Sequence, residues 1–200
     1  VHDIAKGAAL MTGTTVETKV YSGVSNLVGN LPLEQAMQTE FEKLGPVPFE
    51  KGDEAFAEEI RKTLTNEDIA ASFQRAGRHT PPELPLCDFV APLDRPSHGG
   101  EGSTDVGDVS WVTPTVQARV ATCAVGTPFH TWQTVAQGKA PVAHKGMVHA
   151  AKVMAATATH LINSPETLEA ARDVHDNRKQ TTPYVCPIPP NVEPPIIDAP

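Results

Sequence analysis

Eight histidines give this chain its best raw material for chemistry at neutral pH, because imidazole titrates near neutrality and is the commonest protein metal ligand. Their placement separates them. His2, His149, His160 and His175 fall on helical segments, where a histidine is ordinarily a surface or core residue. His79 and His98 fall in loops whose geometry the sequence does not fix. His130 follows the end of an expected strand through a Gly-Thr-Pro-Phe turn, and loops at strand ends are where α/β folds put ligands and catalytic groups. On position alone an ordinary loop imidazole and a metal ligand both stay open for His130, the first being the commoner case.

Three other groups could support such a site. Asp105 and Asp108 flank Val106-Gly107 and could orient a metal ligand through its second ring nitrogen, although acidic residues at a helix start more often answer the helix dipole. Lys145, between His144 and Gly146, could hold an anion, although most such lysines are simply solvated. The cluster His98-Gly-Gly-Glu-Gly-Ser103 lacks the strand and lysine of a phosphate loop. No H-E-x-x-H, G-x-S-x-G, Walker or dinucleotide pattern occurs.

The elements that must position these residues follow from periodicity. Residues 1–11 read as a helix tail stopped at Gly13. Thr15–Tyr21 alternates as a half-buried strand, and Val116–Val125 does the same with Val116, Ala118, Val120, Thr122 and Ala124 on one face. Asn30 and Pro32 start a helix carrying Leu33, Met37, Phe41 and Leu44, which ends at Gly45. Short helices are expected over Asp53–Leu64 and Glu67–Ala76. His144–Asn163 is the strongest helix, with an expected inward stripe of Met147, Ala151, Met154, Ala158 and Leu161 and with His149 facing away. Ser164-Pro165 caps a last helix to about Arg178. The proline-rich tail Thr181–Pro200 reads as a strap or a disordered end.

Nineteen prolines in 200 residues imply helices and strands joined by long, stiffened connections. A net charge of −8 argues against a nucleic-acid backbone or an anionic membrane as main partner. No apolar run is long enough to span a bilayer, and no signal-peptide pattern opens the chain. Three widely spaced cysteines, an odd number, read as thiols in a reducing, cytoplasmic setting. The start at Val1, directly into structured sequence, is expected of a fragment or a processed chain.

Taken together, Gly-Ser-Thr-Asp-Val-Gly-Asp-Val-Ser-Trp (102–111), Gly-Thr-Pro-Phe-His-Thr-Trp-Gln (126–133) and His-Lys-Gly-Met-x-x-Ala-Ala-Lys-Val (144–153) resemble the M20 family of metallopeptidases and amidohydrolases. The nearest likeness is to its branch acting on p-aminobenzoyl-glutamate, near the indole-acetyl-amino-acid hydrolases. The segments 3–14 and 184–189 fit the same branch, so the likeness covers essentially the whole chain. It implies an α/β fold: the C-terminal half of a zinc-peptidase-like catalytic domain, preceded by the end of an α+β lid and dimerisation domain. Residues 1–28 would then be the end of the lid, 29–180 the catalytic portion and 181–200 a tail.

The resemblance also implies a chemistry. Two divalent metal ions, Zn or Mn, would activate water against the amide of an N-acyl or N-aroyl amino acid such as p-aminobenzoyl-glutamate, with a Glu as general base. His130 matches the family's last metal ligand, although Thr131 stands where the family usually has Ser. Asp105 could steady the turn or the ligand shell. The other ligands, the Glu base and the lid's substrate-binding Asn and Arg belong to the family's N-terminal part, which this chain does not contain. One histidine cannot hold a catalytic metal, so the segment alone is expected to be inactive. Expected partners are the small-molecule substrate and a second copy joined through the lid, or a related second subunit. The alternative is a non-catalytic fragment or subunit that gives an interface and one metal ligand to a partner chain.

Overall fold

The computed structural model describes residues 1–77, 83–94 and 104–193. Among these residues the chain forms helices and no strand: α1 (His2–Thr12), α2 (Leu31–Leu44), α3 (Lys51–Arg61), α4 (Asn66–Arg75), α5 (Val106–Val112), α6 (Trp132–Gln137), α7 (Pro141–Ile162) and α8 (Pro165–Thr181). The α/β expectation is therefore corrected, and with it both expected strands. Alternation creates an apolar face, but a strand exists only when a neighbour pairs its N–H and C=O groups. Residues 15–21 form no regular element, and all but Val20 are exposed. Over 116–125 the backbone donors go elsewhere: Val125 N–H to the Pro85 carbonyl at 2.9 Å and Ala124 N–H to the Gln137 side chain at 2.7 Å.

The helix signals agree better with the structure. Asn30 caps α2 by accepting from Leu33 N–H, Pro32 sits in its first turn, and Gly45 ends it at φ +73°. Gly13 ends α1 in the left-handed region, where a glycine has no Cβ to clash. At the start of α3, Glu50 and Asp53 form a reciprocal capping box. Helix α2 packs against both α7 and α8, and α7 touches α8. A second cluster joins Ala57 and Ile60 of α3 to Leu86, Ala124 and Val142, with Phe49 and Phe56 against it.

The inward face of α7 differs from the expected one. Val142, Gly146, His149, Val153 and Thr157 are buried, while Met147 and Met154 are exposed. The two stripes share the helical period and differ by about 120° around the axis, so periodicity could not choose between them. Gly146 decides. A Cβ there would overlap the Ala121 carbonyl oxygen, so only this face can take the extended segment crossing α7. His149 consequently turns inward, with its ring centroid 6.5 Å from that of Phe41.

Helices α2 and α7 also meet at a buried carboxylate. Glu40, buried in α2, accepts from Lys43 Nζ at 2.7 Å, and His160 Nδ1 of α7 lies 2.8 Å from the same oxygen. The Lys43 hydrogen bond first, and the His160 contact second, hold the Glu40 carboxyl below its ordinary value of 4.5. A carboxyl lowered by folding stabilises the native state above its ordinary value and loses that contribution as pH falls through the folded value. Glu40→Gln is therefore expected to melt a few degrees below the parent at neutral pH, with the gap closing as pH falls below 4.5 and through the folded value. Thermal melts followed by helical circular dichroism check this; a gap that persists undiminished in acid would refute it.

Candidate functional site

His130 sits on a turn that the rest of the chain holds rigidly. Gly126 enters it at φ +97°, pressed against Ile69 so closely that a side chain would not fit. Thr131 and Thr134 both donate their hydroxyls to the Pro128 carbonyl, at 2.7 and 2.8 Å. Beneath them the buried Gln137 accepts from Ala124 N–H and donates to Thr127 Oγ1 and the Gln133 carbonyl, both at 3.0 Å. All of that amide's protons are thus used, which fixes 124–137 as one unit. His130 itself adopts φ +64°, a conformation that costs an L side chain energy and is retained where surrounding structure enforces it. Its imidazole is exposed and shares a shallow concavity with Phe129, Thr131, Thr134 and Val135. Sequence reasoning missed α6 and Gln137; an amide whose partners are thirteen, ten and four residues away leaves no local signature.

The 104–111 motif does different work from the one considered for it. Gly107 of α5 lies directly on the backbone of Ser25 and Asn26. Ser110, buried, accepts from Val28 N–H at 2.9 Å and donates to the Gly107 carbonyl at 2.5 Å. Trp111 Nε1 donates to the Asn26 carbonyl at 3.0 Å. Asp108 accepts from Tyr184 OH at 2.8 Å and from Ser25 N–H at 3.1 Å. The Tyr184 hydrogen bond, then that of Ser25, holds the Asp108 carboxyl below its ordinary range, and the same bond pushes the Tyr184 phenol up to about 12. Neither aspartate orients His130: Asp108 is engaged with Ser25 and Tyr184, and Asp105 is exposed. The motif is a clamp joining segment 25–28, α5 and the post-α8 segment, whose Tyr184 ring lies 6.2 Å from that of Trp111. Tyr184 thus ties the segment after α8 to α5; of the tail expected over 181–200 as a strap or a disordered end, residues 194–200 lie outside the described residues.

Lys145 is likewise committed. Its ammonium donates to buried Asp53 at 2.5 Å and lies 3.0 Å from Glu50, locking α7 to the start of α3. Burial alone would raise the Asp53 carboxyl, but the Lys145 hydrogen bond and the Glu50 N–H override it and hold it low. The same bonds, that to Asp53 foremost, raise the Lys145 amine above its ordinary value. An anion-binding role for Lys145 is not what this geometry serves. His79, His98 and the 98–103 glycine cluster lie outside the described residues.

Among the described residues no three His, Cys, Asp or Glu side chains gather closely enough to hold a metal ion. His130 offers one open imidazole, which suits a single ligand position, but these residues do not by themselves fit a complete metal centre. A separate cavity of about 500 Å³ lies elsewhere, among Met37, Phe41, Phe89, Val120 and His149. No helix among the described residues is long and apolar enough to cross a membrane.

No protein-family model matches the chain, and no solved structure does. Among curated proteins, one of the subunits of the p-aminobenzoyl-glutamate hydrolase of Escherichia coli (strain K12) is 42% identical over 206 aligned residues, which take in 97% of this chain. The chain spans 42% of that protein's length. This bears out the branch to which motifs 102–111, 126–133 and 144–153 point. Across nearly all of its length the chain is similar to part of a p-aminobenzoyl-glutamate hydrolase subunit.

Proposed function

We propose that the chain is part of a metal-dependent M20-type amidohydrolase that cleaves the amide bond of N-aroyl or N-acyl amino acids, p-aminobenzoyl-glutamate first among them. The substrate class rests on the similarity to the Escherichia coli hydrolase. The observation that carries the site is His130: an exposed imidazole held at φ +64° on a turn fixed from beneath by Gln137. His130 gives one ligand, and the remaining ligands and the Glu base come from outside these 200 residues. Divalent ions bound there would supply a polarised carbonyl and an acidified water. This chain's own share is to fix one imidazole in space and present the surface around it.

Within the proposed division at 1–28, 29–180 and 181–200, helix α1 buries no residue, in keeping with a first unit that packs elsewhere, whereas residues 25–28 already dock on α5. The alternative, a non-catalytic subunit giving an interface and one ligand to a partner, is favoured by one feature: α1 and the outward Met147 and Met154 of α7 leave apolar side chains in solvent. Pairing with a second copy or a related subunit fits both readings, and the thiols Cys87, Cys123 and Cys186 fit a cytoplasmic setting.

Elemental analysis and p-aminobenzoyl-glutamate hydrolysis, measured on the complete protein and on the 200-residue chain, test the proposal. Stoichiometric Zn or Mn with activity in the first and neither in the second is the expected result. Full metal content and activity in the complete protein after His130→Ala would overturn it.

A further inference from the structure

Phe129 and Val135, 70% and 80% exposed, line the same concavity as His130, the candidate ligand. Large apolar side chains so open to water on a rigid turn are unfavourably solvated, and small-molecule sites are lined in this way. Rigidity is what distinguishes them from a frayed surface: the Thr131 and Thr134 hydroxyls and the Gln137 amide hold the backbone that carries them. The lining residues, Phe129, His130, Thr131, Thr134 and Val135, include no Lys, Arg, Asp or Glu. Such a surface matches an uncharged ring and offers no fixed cation to a dicarboxylate.

We infer that Phe129 and Val135 form the seat for the aromatic acyl group of the substrate, and so select aroyl over small alkanoyl amides. This rests on the amidohydrolase reading above. In an aroyl amide the scissile carbonyl carbon is bonded directly to the ring. Whatever seats the ring therefore also fixes the reacting carbon relative to the imidazole beside it, and orientation of that kind contributes to rate. The amino-acid half, with its carboxylates, must be recognised by other residues. Trp132, also exposed, is on the same turn but does not line the concavity, so it serves as a control.

The experiment uses the complete enzyme and two substrates that share the amino acid, p-aminobenzoyl-glutamate and acetyl-glutamate. Phe129→Ala and Val135→Ser are each expected to lower the ratio of kcat/KM values, aroyl over acetyl, by about tenfold, mainly through KM. Phe129→Tyr should restore most of the ratio, and Trp132→Ala should leave it within about twofold. Equal losses on both substrates, no loss on either, or an equal shift from Trp132→Ala would each overturn the inference. A thermal melt of each variant matching the parent separates recognition from misfolding. His130→Ala discriminates the two levels of the argument. Metal and hydrolysis retained in that variant defeat the ligand reading, whereas the aroyl seat stands or falls on the ratio alone.

Discussion

Replacing His130 with glycine is expected to stabilise the fold by about 1 kcal/mol while lowering hydrolysis by the complete enzyme by about two orders of magnitude or more. The two halves of that result have separate causes. At φ +64° an L side chain crowds its own carbonyl, and glycine does not; part of the relief is offset by the greater freedom of glycine in the unfolded chain. The imidazole is exposed and packs into no core, so its removal forfeits little. Activity, in contrast, would lose the metal ligand proposed above. Denaturant titration alongside the hydrolysis assay checks both signs at once. A variant that is less stable than the parent would show that His130 is held there for folding. One that is more stable and still active would show that the strained conformation serves something other than catalysis.

Gly107→Ala should act in the opposite direction, destabilising by about 3 kcal/mol or more. In an ordinary helix the same change is favourable by up to about 1 kcal/mol, because alanine has less unfolded-state freedom to lose. Here a Cβ would overlap the Ser25 carbonyl oxygen and crowd Asn26, and backbone cannot step aside as a flexible side chain would. Displacing α5 also breaks the Ser110 bond to Val28 N–H and the Asp108 bond to Ser25 N–H. Gly52→Ala in α3, where the added methyl meets nothing within 4 Å, is the control and should stabilise modestly. Parallel denaturant titrations of the two variants decide the matter; equal effects would mean that α5 does not dock on 25–28.

Local chemistry is readable wherever it decides the outcome. Asn30, Pro32 and Gly45 announce α2, and Pro165 in the first turn announces α8, because such signals act within one turn of the chain. The segments 15–21 and 116–125 mislead for the converse reason. A strand is a property of two segments, and alternation reports only one. The face of α7 is hidden because a single close approach at Gly146 outweighs five well-spaced apolar residues. At the candidate site, His130 is legible from its Gly-Thr-Pro-Phe turn and from the family likeness. The positive φ and the Gln137 scaffold are not, since both arise from contacts between residues apart in sequence. Asp108 and Lys145 draw notice for the right reason, their charge, and suggest the wrong work, since each is engaged inside a structural joint.

The joint at Lys145 has a consequence for covalent chemistry. An amine attacks a carbonyl only through its lone pair, which is free only once the ammonium has shed a proton. Asp53 and Glu50 hold that proton in place, so Lys145 is a poorer nucleophile than a solvated lysine. Acylating reagents and reducing sugars will first mark exposed lysines outside any ion pair among the described residues, such as Lys51 and Lys152. An adduct on Lys145 would then record a time when α3 and α7 had come apart, making this side chain a chemical memory of local opening.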